Sequence, residues 1–136
     1  MRRAVLDSGV FVSALINSAG TPAMLLAQAH GAGFELIASP LLLDELEKVL
    51  LRKKFRRYAT VNEVVDYLGF LRRLATISPD PDEPAPLVCP DPADNYLIAL
   101  AYSQKAVLVS GDSHLLEIAS GAPICAPADF LKSEVA

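Results

Sequence analysis

Tryptophan is absent from the 136 residues, and only two cysteines and two methionines occur. Cys89 and Cys125 are too few for a disulfide framework and lack the paired spacing of a zinc motif. Long hydrophobic runs are also missing: the longest, from Tyr96 to Tyr102, has seven residues, against the roughly 20 needed to span a bilayer. The apolar stretch before Asp7 is far shorter than that of a signal peptide. We therefore expect a cytoplasmic protein with reduced thiols and no membrane contact.

Basic residues are fewer than acidic ones: the chain has 12 Lys and Arg and 16 Asp and Glu, which gives a formal charge of −4. This balance excludes a uniformly basic surface that wraps nucleic acid and leaves room only for a local basic patch. The 52% of hydrophobic and 21% of charged residues exclude wholesale disorder. A length of 136 residues predicts a single domain covering residues 1–136.

Short apolar segments alternate with helical patterns along the chain. Strands are predicted at 3–6, 34–38, 75–78, 106–109 and 124–125, with a further strand fragment at Leu87-Val88. Helices are predicted over 10–17, 21–31, 40–52, 61–74, 91–104 and 127–132, with a short one after Asp112. Thr-Pro, Ser-Pro and Asp-Pro pairs at 21–22, 39–40 and 91–92 are expected to supply the cap and the first residue of three helices. This alternation predicts an α/β protein with a mostly parallel sheet.

Two acidic residues follow predicted strands. Asp7 comes directly after the strand 3–6, and Asp112 comes soon after the strand 106–109. Ligands of parallel α/β sheets bind beyond the carboxyl ends of the strands, so both positions suit a functional site. The alternative is that each residue simply caps the helix that follows it.

Two further acids lie on the apolar faces of predicted helices. Glu45 falls three residues after Leu42 and four before Val49, which places it with the core-facing stripe. Asp94 precedes Leu97 at helical spacing and leans over the buried face of its helix. The alternatives are that Glu45 reaches water from the edge of its stripe, and that Asp94 merely favours the helix dipole in the first turn.

These four acids would meet at one end of the sheet if their strands are neighbours. Carboxylates brought that close repel one another and are unstable without a cation. Oxygen ligands without His or Cys suit Mg²⁺ or Mn²⁺ rather than zinc. Such an ion is most useful on phosphate esters, because it offsets oxyanion charge and activates water.

A basic segment lies between the second and third predicted strands. Its cations are interleaved with Phe55 and Tyr58, and they are Arg52, Lys53, Lys54, Arg56 and Arg57. In a chain of net negative charge, such clustering suggests a track for a phosphate backbone. The alternative is a solvated helix end, where cations favour the helix dipole.

The four acids, in their order and with their neighbours, resemble the PIN-domain family, especially its VapC-like putative toxins of toxin–antitoxin systems. Four blocks carry the resemblance: Asp7-Ser8-Gly9-Val10-Phe11, Ser39-Pro40 followed by Asp44-Glu45-Leu46, Cys89-Pro90-Asp91-Pro92-Ala93-Asp94-Asn95, and Leu108-Val109-Ser110-Gly111-Asp112. The resemblance implies a three-layer α/β/α sandwich around a mostly parallel sheet. It also implies a metal-dependent endoribonuclease that uses Mg²⁺ or Mn²⁺, a cognate antitoxin and a homodimer.

The resemblance also implies roles for individual residues. The catalytic and metal-binding acids would be Asp7, Glu45, Asp94 and Asp112, with Ser110 supporting the last and Asp91 as an accessory acid. Gly9 departs from the family, which usually has Asn or a similar polar residue there. The outer hydrogen bond of that residue is then missing or supplied otherwise, for example by Ser8.

Two other classes of protein remain open at this point. One is a PIN-like module that binds RNA or a protein with weak or no catalysis, an alternative that Gly9 favours. The other is a phosphoacceptor receiver domain, which is also an α/β protein with acids at strand ends. The middle of the chain lacks the receiver's central phosphorylated Asp, and Lys105 precedes its strand rather than following it.

Overall fold

The computed structural model describes residues 1–82, 94–117 and 123–132 of the chain. Three predictions lie outside these residues: the strand fragment Leu87-Val88, the helix start at Asp91-Pro92, and the accessory role of Asp91. All the other predicted elements fall at least in part within the described ranges and can be compared with the structure.

Five parallel strands form the central sheet in the order β3-β2-β1-β4-β5. The strands are β1 (Arg3–Leu6), β2 (Glu35–Ala38), β3 (Thr76–Ile77), β4 (Val107–Val109) and β5 (Ile124–Cys125). After a half-buried first residue (Arg3, Glu35 and Val107), the three middle strands are apolar and buried, which is typical of a parallel sheet covered on both faces. The predicted α/β class and the parallel sheet are confirmed.

The described residues form seven α-helices and a 3₁₀ turn, of which the last helix follows the last strand. They are α1 (Ser8–Ile16), α2 (Thr21–His30), α3 (Pro40–Leu50), the 3₁₀ turn at Lys53–Phe55, α4 (Val61–Leu74), α5 (Asn95–Gln104), α6 (Ser113–Leu116) and α7 (Pro127–Lys132). The chain builds the sheet outward from β1 to β3 and then crosses back to β4. Right-handed crossovers therefore place α1 to α4 on one face and α5 on the other, where α5 contacts β1 and β4.

The strand order puts a topological switch point between β1 and β4. The connection that leaves β1 runs toward β2, and the connection that leaves β4 runs toward β5 in the opposite direction. This reversal opens a crevice at the carboxyl ends of β1 and β4. The order also differs from the 2-1-3-4-5 order of receiver-like folds. The receiver-domain alternative is therefore wrong.

Helix starts differ from the predictions where a neighbouring residue is the better cap. Ser39 caps α3 as predicted, because its hydroxyl accepts the Leu42 N–H at 3.3 Å. However, α1 begins at Ser8 because the Asp7 carboxylate caps it. Gly20, not Thr21, is the N-cap of α2. Within the described residues, α5 spans Asn95–Gln104 and follows Asp94.

The hydrophobic core lies between the sheet and both helical layers. Phe11, Leu25, Leu42, Leu46 and Leu97 are among its fully buried side chains. Within the described ranges, no single helix is long and apolar enough to cross a membrane, and only α1 and α2 taken together, bent by 99°, meet the length and composition criteria.

Candidate active site

A pocket of about 470 Å³ lies where the carboxyl ends of β1 and β4 meet. Three of the predicted acids line it: Asp7, which follows β1; Asp112, which follows β4; and Asp94 at the start of α5. Its other lining residues are Ser8, Gly9, Val10, Ser13, Pro22, Gly111 and Pro127. The tertiary structure therefore brings three acids from distant parts of the chain to the switch point of the sheet.

Asp7 is the most buried of these acids, with 7% of its surface exposed. Its Oδ1 accepts the Val10 N–H at 2.9 Å and so caps α1, while its Oδ2 accepts the Ser110 hydroxyl. The capping role considered for Asp7 is thus right, and the same carboxylate also lines the pocket.

The charge on Asp7 is incompletely compensated. Burial raises the pKa of Asp7 above its ordinary value, the hydrogen bonds from Ser110 and Val10 lower it, and the negative charges of Asp112 and Glu45 raise it further. The net direction is upward, so the folded protein resists ionisation of this carboxyl. A cation beside Asp7 would remove that penalty.

Ser110 connects the two acids at the strand ends. It is fully buried; its hydroxyl donates to Asp7 and accepts the backbone N–H of Asp112 at 2.9 Å. Ser110 therefore orients the Asp7 carboxylate directly, and it fixes the backbone of Asp112.

We expect Ser110→Ala to lower the free energy of unfolding by about 1–3 kcal/mol, because a buried carboxylate loses a hydrogen-bond donor. Denaturant unfolding in the presence of a chelator measures this. The matched control is Ser103→Ala, since Ser103 is exposed and its hydroxyl bonds to the Leu100 carbonyl of its own helix. Equal midpoints for the two variants would show that Ser110 does not support Asp7.

Glu45 lies in a second pocket, next to the first. This pocket measures about 340 Å³ and is lined by Leu41, Asp44, Glu45, Lys48 and Tyr96. Glu45 is half-buried, as its place on the apolar stripe predicted, and its Oε2 accepts the hydroxyl of Tyr96. Glu45 is close enough to the first pocket for its charge to raise the pKa of Asp7.

Tyr96 is a residue of the candidate site that the sequence did not single out, because it was counted as part of an apolar run. Burial raises the pKa of Tyr96, as do the hydrogen bond with Glu45 and the negative charges of Glu45, Asp94 and Asp80. The hydroxyl therefore stays protonated and remains a donor to Glu45. A tyrosine at an inward helix position needs a hydrogen-bond partner for its hydroxyl. That requirement was the signal in the sequence that Tyr96 contacts another polar residue.

The four predicted acids are near one another but do not form a compact shell. Among the residues that the structure describes, no three Asp, Glu, His or Cys side chains stand close enough to hold a metal ion as they are placed. Like charges repel, so carboxylates lining one pocket are expected to stay apart until a cation offsets them. The all-oxygen donor set suits Mg²⁺ or Mn²⁺, and convergence of all four acids on one ion stays a prediction.

The basic segment divides into surface cations and one inward-facing cation. Arg52, Lys53, Lys54 and Arg57 are exposed, and Lys54 and Arg57 lie over the rings of the aromatic residues that follow them. Arg56 is half-buried, and its guanidinium donates to the Leu50 carbonyl at the end of α3. Arg56 thus has the role that the helix-end alternative predicts, while the other four cations remain available to a ligand.

The fold and the pocket define a class of protein, namely parallel α/β proteins with an acid-lined site at the switch point of the sheet. The chain belongs to the PIN domain family, whose sequence profile matches residues 3–114. This confirms the resemblance stated above. PIN domains are generally ribonucleases that use divalent metals.

Known relatives agree with this assignment. An uncharacterised protein of Methanocaldococcus jannaschii is 32% identical over 118 residues, covering 85% of this chain and 74% of that protein. VapBC2 from Rickettsia felis, bound to a DNA fragment from its promoter, has a TM-score of 0.63 at 12% identity, covering 91% of this chain and 98% of that one. VapBC-1 from nontypeable Haemophilus influenzae has a TM-score of 0.62 at 13% identity, covering 93% and 98%. At these identities the structural likeness shows the fold alone.

Proposed function

We propose that this chain is a Mg²⁺- or Mn²⁺-dependent endoribonuclease of the toxin type, which hydrolyses phosphodiester bonds of RNA. One observation carries the proposal: a buried Asp7 with a raised pKa shares a pocket with Asp94 and Asp112 at the switch point of the sheet. Membership of the PIN domain family supports the same reaction class.

Asp7, Asp94 and Asp112 would hold the cation from the first pocket, and Glu45 would hold it from the adjoining one. When bound, such an ion supplies Lewis-acid chemistry that offsets phosphate charge and lowers the pKa of water. Ser110 keeps the Asp7 carboxylate oriented through its hydroxyl. The supporting roles of Ser8, which lines the first pocket, and of Asp91 are part of the proposal.

RNA would be held by the basic segment. The exposed cations of that segment are the proposed phosphate contacts, and they are Arg52, Lys53, Lys54 and Arg57. The proposed part of Arg56 is to brace the segment against α3, because its guanidinium bonds to the Leu50 carbonyl.

The proposal includes a cognate antitoxin that covers the site, a homodimer and a cytoplasmic location. Support for the antitoxin comes from two structural neighbours, which are named as VapBC complexes. Val61 and Val65 lie one turn apart on α4 and are 50% and 57% exposed, which suits a surface that another protein chain covers.

The test is cleavage of a panel of single-stranded and structured RNAs in Mn²⁺, with and without excess chelator. We expect cleavage in Mn²⁺ and none once the ion is removed. Cleavage that persists under complete chelation would contradict the metal-dependent mechanism.

The second candidate function is a PIN-like module that binds RNA or a protein with little or no catalysis. Gly9 favours it, because this residue lines the first pocket without the polar side chain that the family usually has at that position. RNA binding that is retained in Mn²⁺ without any cleavage would establish this candidate over the nuclease.

A further inference from the structure

The second pocket has features that the proposed reaction does not use. Leu41, Asp44 and Lys48 are spaced three and four residues apart, so they form one stripe along α3, and Tyr96 from α5 lines the same pocket. We infer that this pocket binds one guanine base of the RNA beside the phosphodiester that is cut. The inference rests on the proposed ribonuclease function and names the base that the site would select.

The walls of the second pocket suit a flat aromatic ligand. Leu41 is 47% exposed although it is a large apolar residue, and the half-buried ring of Tyr96 supplies an aromatic surface. Proteins read single-stranded RNA by stacking splayed-out bases on such side chains. A volume of about 340 Å³ lies at the small end of ligand-binding pockets, which suits a single base rather than several.

The polar groups of the second pocket favour guanine over the other bases. Asp44 is exposed, and a carboxylate accepts hydrogen bonds without donating any. The Watson–Crick edge of guanine presents two adjacent N–H donors, one imino and one amino, which a carboxylate accepts together. Adenine and cytosine present one amino donor beside an acceptor nitrogen, and uracil presents one donor between two carbonyls.

Asp44 and Lys48 remain available to such a ligand. Their side chains form no ion pair with each other in the described chain, where the ion pair within 4.0 Å joins Arg3 to Glu35. Lys48 would donate to the guanine carbonyl or to the neighbouring phosphate, because an ammonium group has donors and no acceptor. Glu45 is already engaged by the Tyr96 hydroxyl, so Asp44 is the carboxylate left to read the base.

The two pockets adjoin each other. Glu45 lines the second pocket while its charge acts on Asp7 in the first, and Tyr96 follows Asp94 by two residues at the start of α5. A base held between Asp44 and Tyr96 would therefore bring its attached phosphate toward Asp7 and Asp94.

The experiment measures binding without cleavage. The protein carries Asp7→Asn, which disables the proposed reaction and keeps a residue that caps α1 well. Fluorescence anisotropy gives its affinity for labelled hexanucleotides that differ at one position, G, A, C or U. We expect the G-containing oligonucleotide to bind on the order of tenfold more tightly than the others, the effect of one bidentate base contact.

Adding Asp44→Asn should abolish that preference, because an amide offers one acceptor and one donor, and its donor faces a guanine N–H. The matched control is Asp66→Asn, which makes the same charge change at an exposed position of α4 and should leave the preference intact. Guanosine monophosphate, as the free nucleotide, should bind at least tenfold more weakly than the G-containing oligonucleotide, because it lacks the neighbouring phosphates.

The inference is overturned by any of four results: equal affinity for the four oligonucleotides, no binding to any of them, a G preference that survives Asp44→Asn, or guanosine monophosphate binding as tightly as RNA. The outcome is separable from that of the proposed function. A G preference lost in Asp44→Asn, in a parent chain that cuts no RNA, keeps the base site and removes the nuclease. Cleavage without base preference keeps the nuclease and removes the base site.

Discussion

Asp7→Asn and Asp94→Asn should each reduce Mn²⁺-dependent RNA cleavage by roughly 100-fold or more. Even the outer hydrogen-bond partners of metal ligands typically contribute about 10- to 100-fold, so the loss of a charged ligand should cost at least as much. Asn keeps the shape of Asp and its capping oxygen, so the Val10 N–H bond that starts α1 survives in Asp7→Asn. In Asp7→Asn the substitution therefore removes the negative charge and the acceptor of the Ser110 hydroxyl while the helix cap is kept. Initial cleavage rates at saturating RNA measure the effect.

The control for this experiment is Asp66→Asn, which removes one exposed carboxylate from α4, away from both pockets. It should cleave at the rate of the parent chain. If Asp7→Asn and Asp94→Asn also retain the parent rate, these acids do not hold the metal and the proposed mechanism is wrong.

Mn²⁺ should raise the melting temperature of the parent chain by roughly 10 °C. An ion present at about 100 times its dissociation constant stabilises the folded state by about 2.7 kcal/mol. A change of 1 kcal/mol in the free energy of unfolding shifts the melting temperature by about 2–8 °C for domains of this size range. The shift should be largely lost in Asp7→Asn and in Asp94→Asn, because the affinity for the ion falls. This measurement does not depend on catalysis.

Asp94→Asn should melt higher than the parent in chelator. The pKa of Asp7 is raised in the folded state, so the folded protein disfavours the ionised form and loses stability as the pH rises through that pKa. Asp94→Asn removes a negative charge from the same pocket and so lowers the repulsion among its carboxylates. No such increase is expected of Asp7→Asn, because its amide replaces the Oδ2 that accepts the Ser110 hydroxyl with a donor.

A melting temperature of the parent that does not respond to Mn²⁺ would count against a shared metal site, whatever the cleavage result. Asp66→Asn again serves as the control, since it should keep the full Mn²⁺ shift. Together with the cleavage rates, this result separates a nuclease from a module that binds RNA without turnover.

Most of the fold could be predicted because its signals are local. The α4 helix has both ends where the sequence placed them, since Thr60 and Glu63 form a capping box at its start. The short strands were found because their residues are apolar on both faces, as a covered parallel sheet requires. Helix starts were less accurate where two residues compete for the cap, as at Gly20 and Thr21.

The sequence predicted which acids belong to the candidate site but not which residues contact them. Asp7 and Asp112 stood out because they follow strands, and the neighbouring placement of β1 and β4 brings them to one pocket. Tyr96 could not be linked to Glu45 from the sequence, because 51 positions separate them. Arg56 resembled its exposed neighbours, and only the packing of the segment against α3 turns it inward.

Apolar periodicity, prolines at helix starts and acids after strands are readable in the order of residues, because each depends on neighbours within a turn or two of backbone. They were enough to indicate the α/β class and the acids worth testing, while the family came from the resemblance of four motifs. The hydrogen bond from Ser110 to Asp7 joins residues 103 positions apart, and it exists because β1 and β4 pair in the sheet. Contacts of that kind depend on strand order and helix packing, which no local pattern encodes, and they decide how the charges of the site are held.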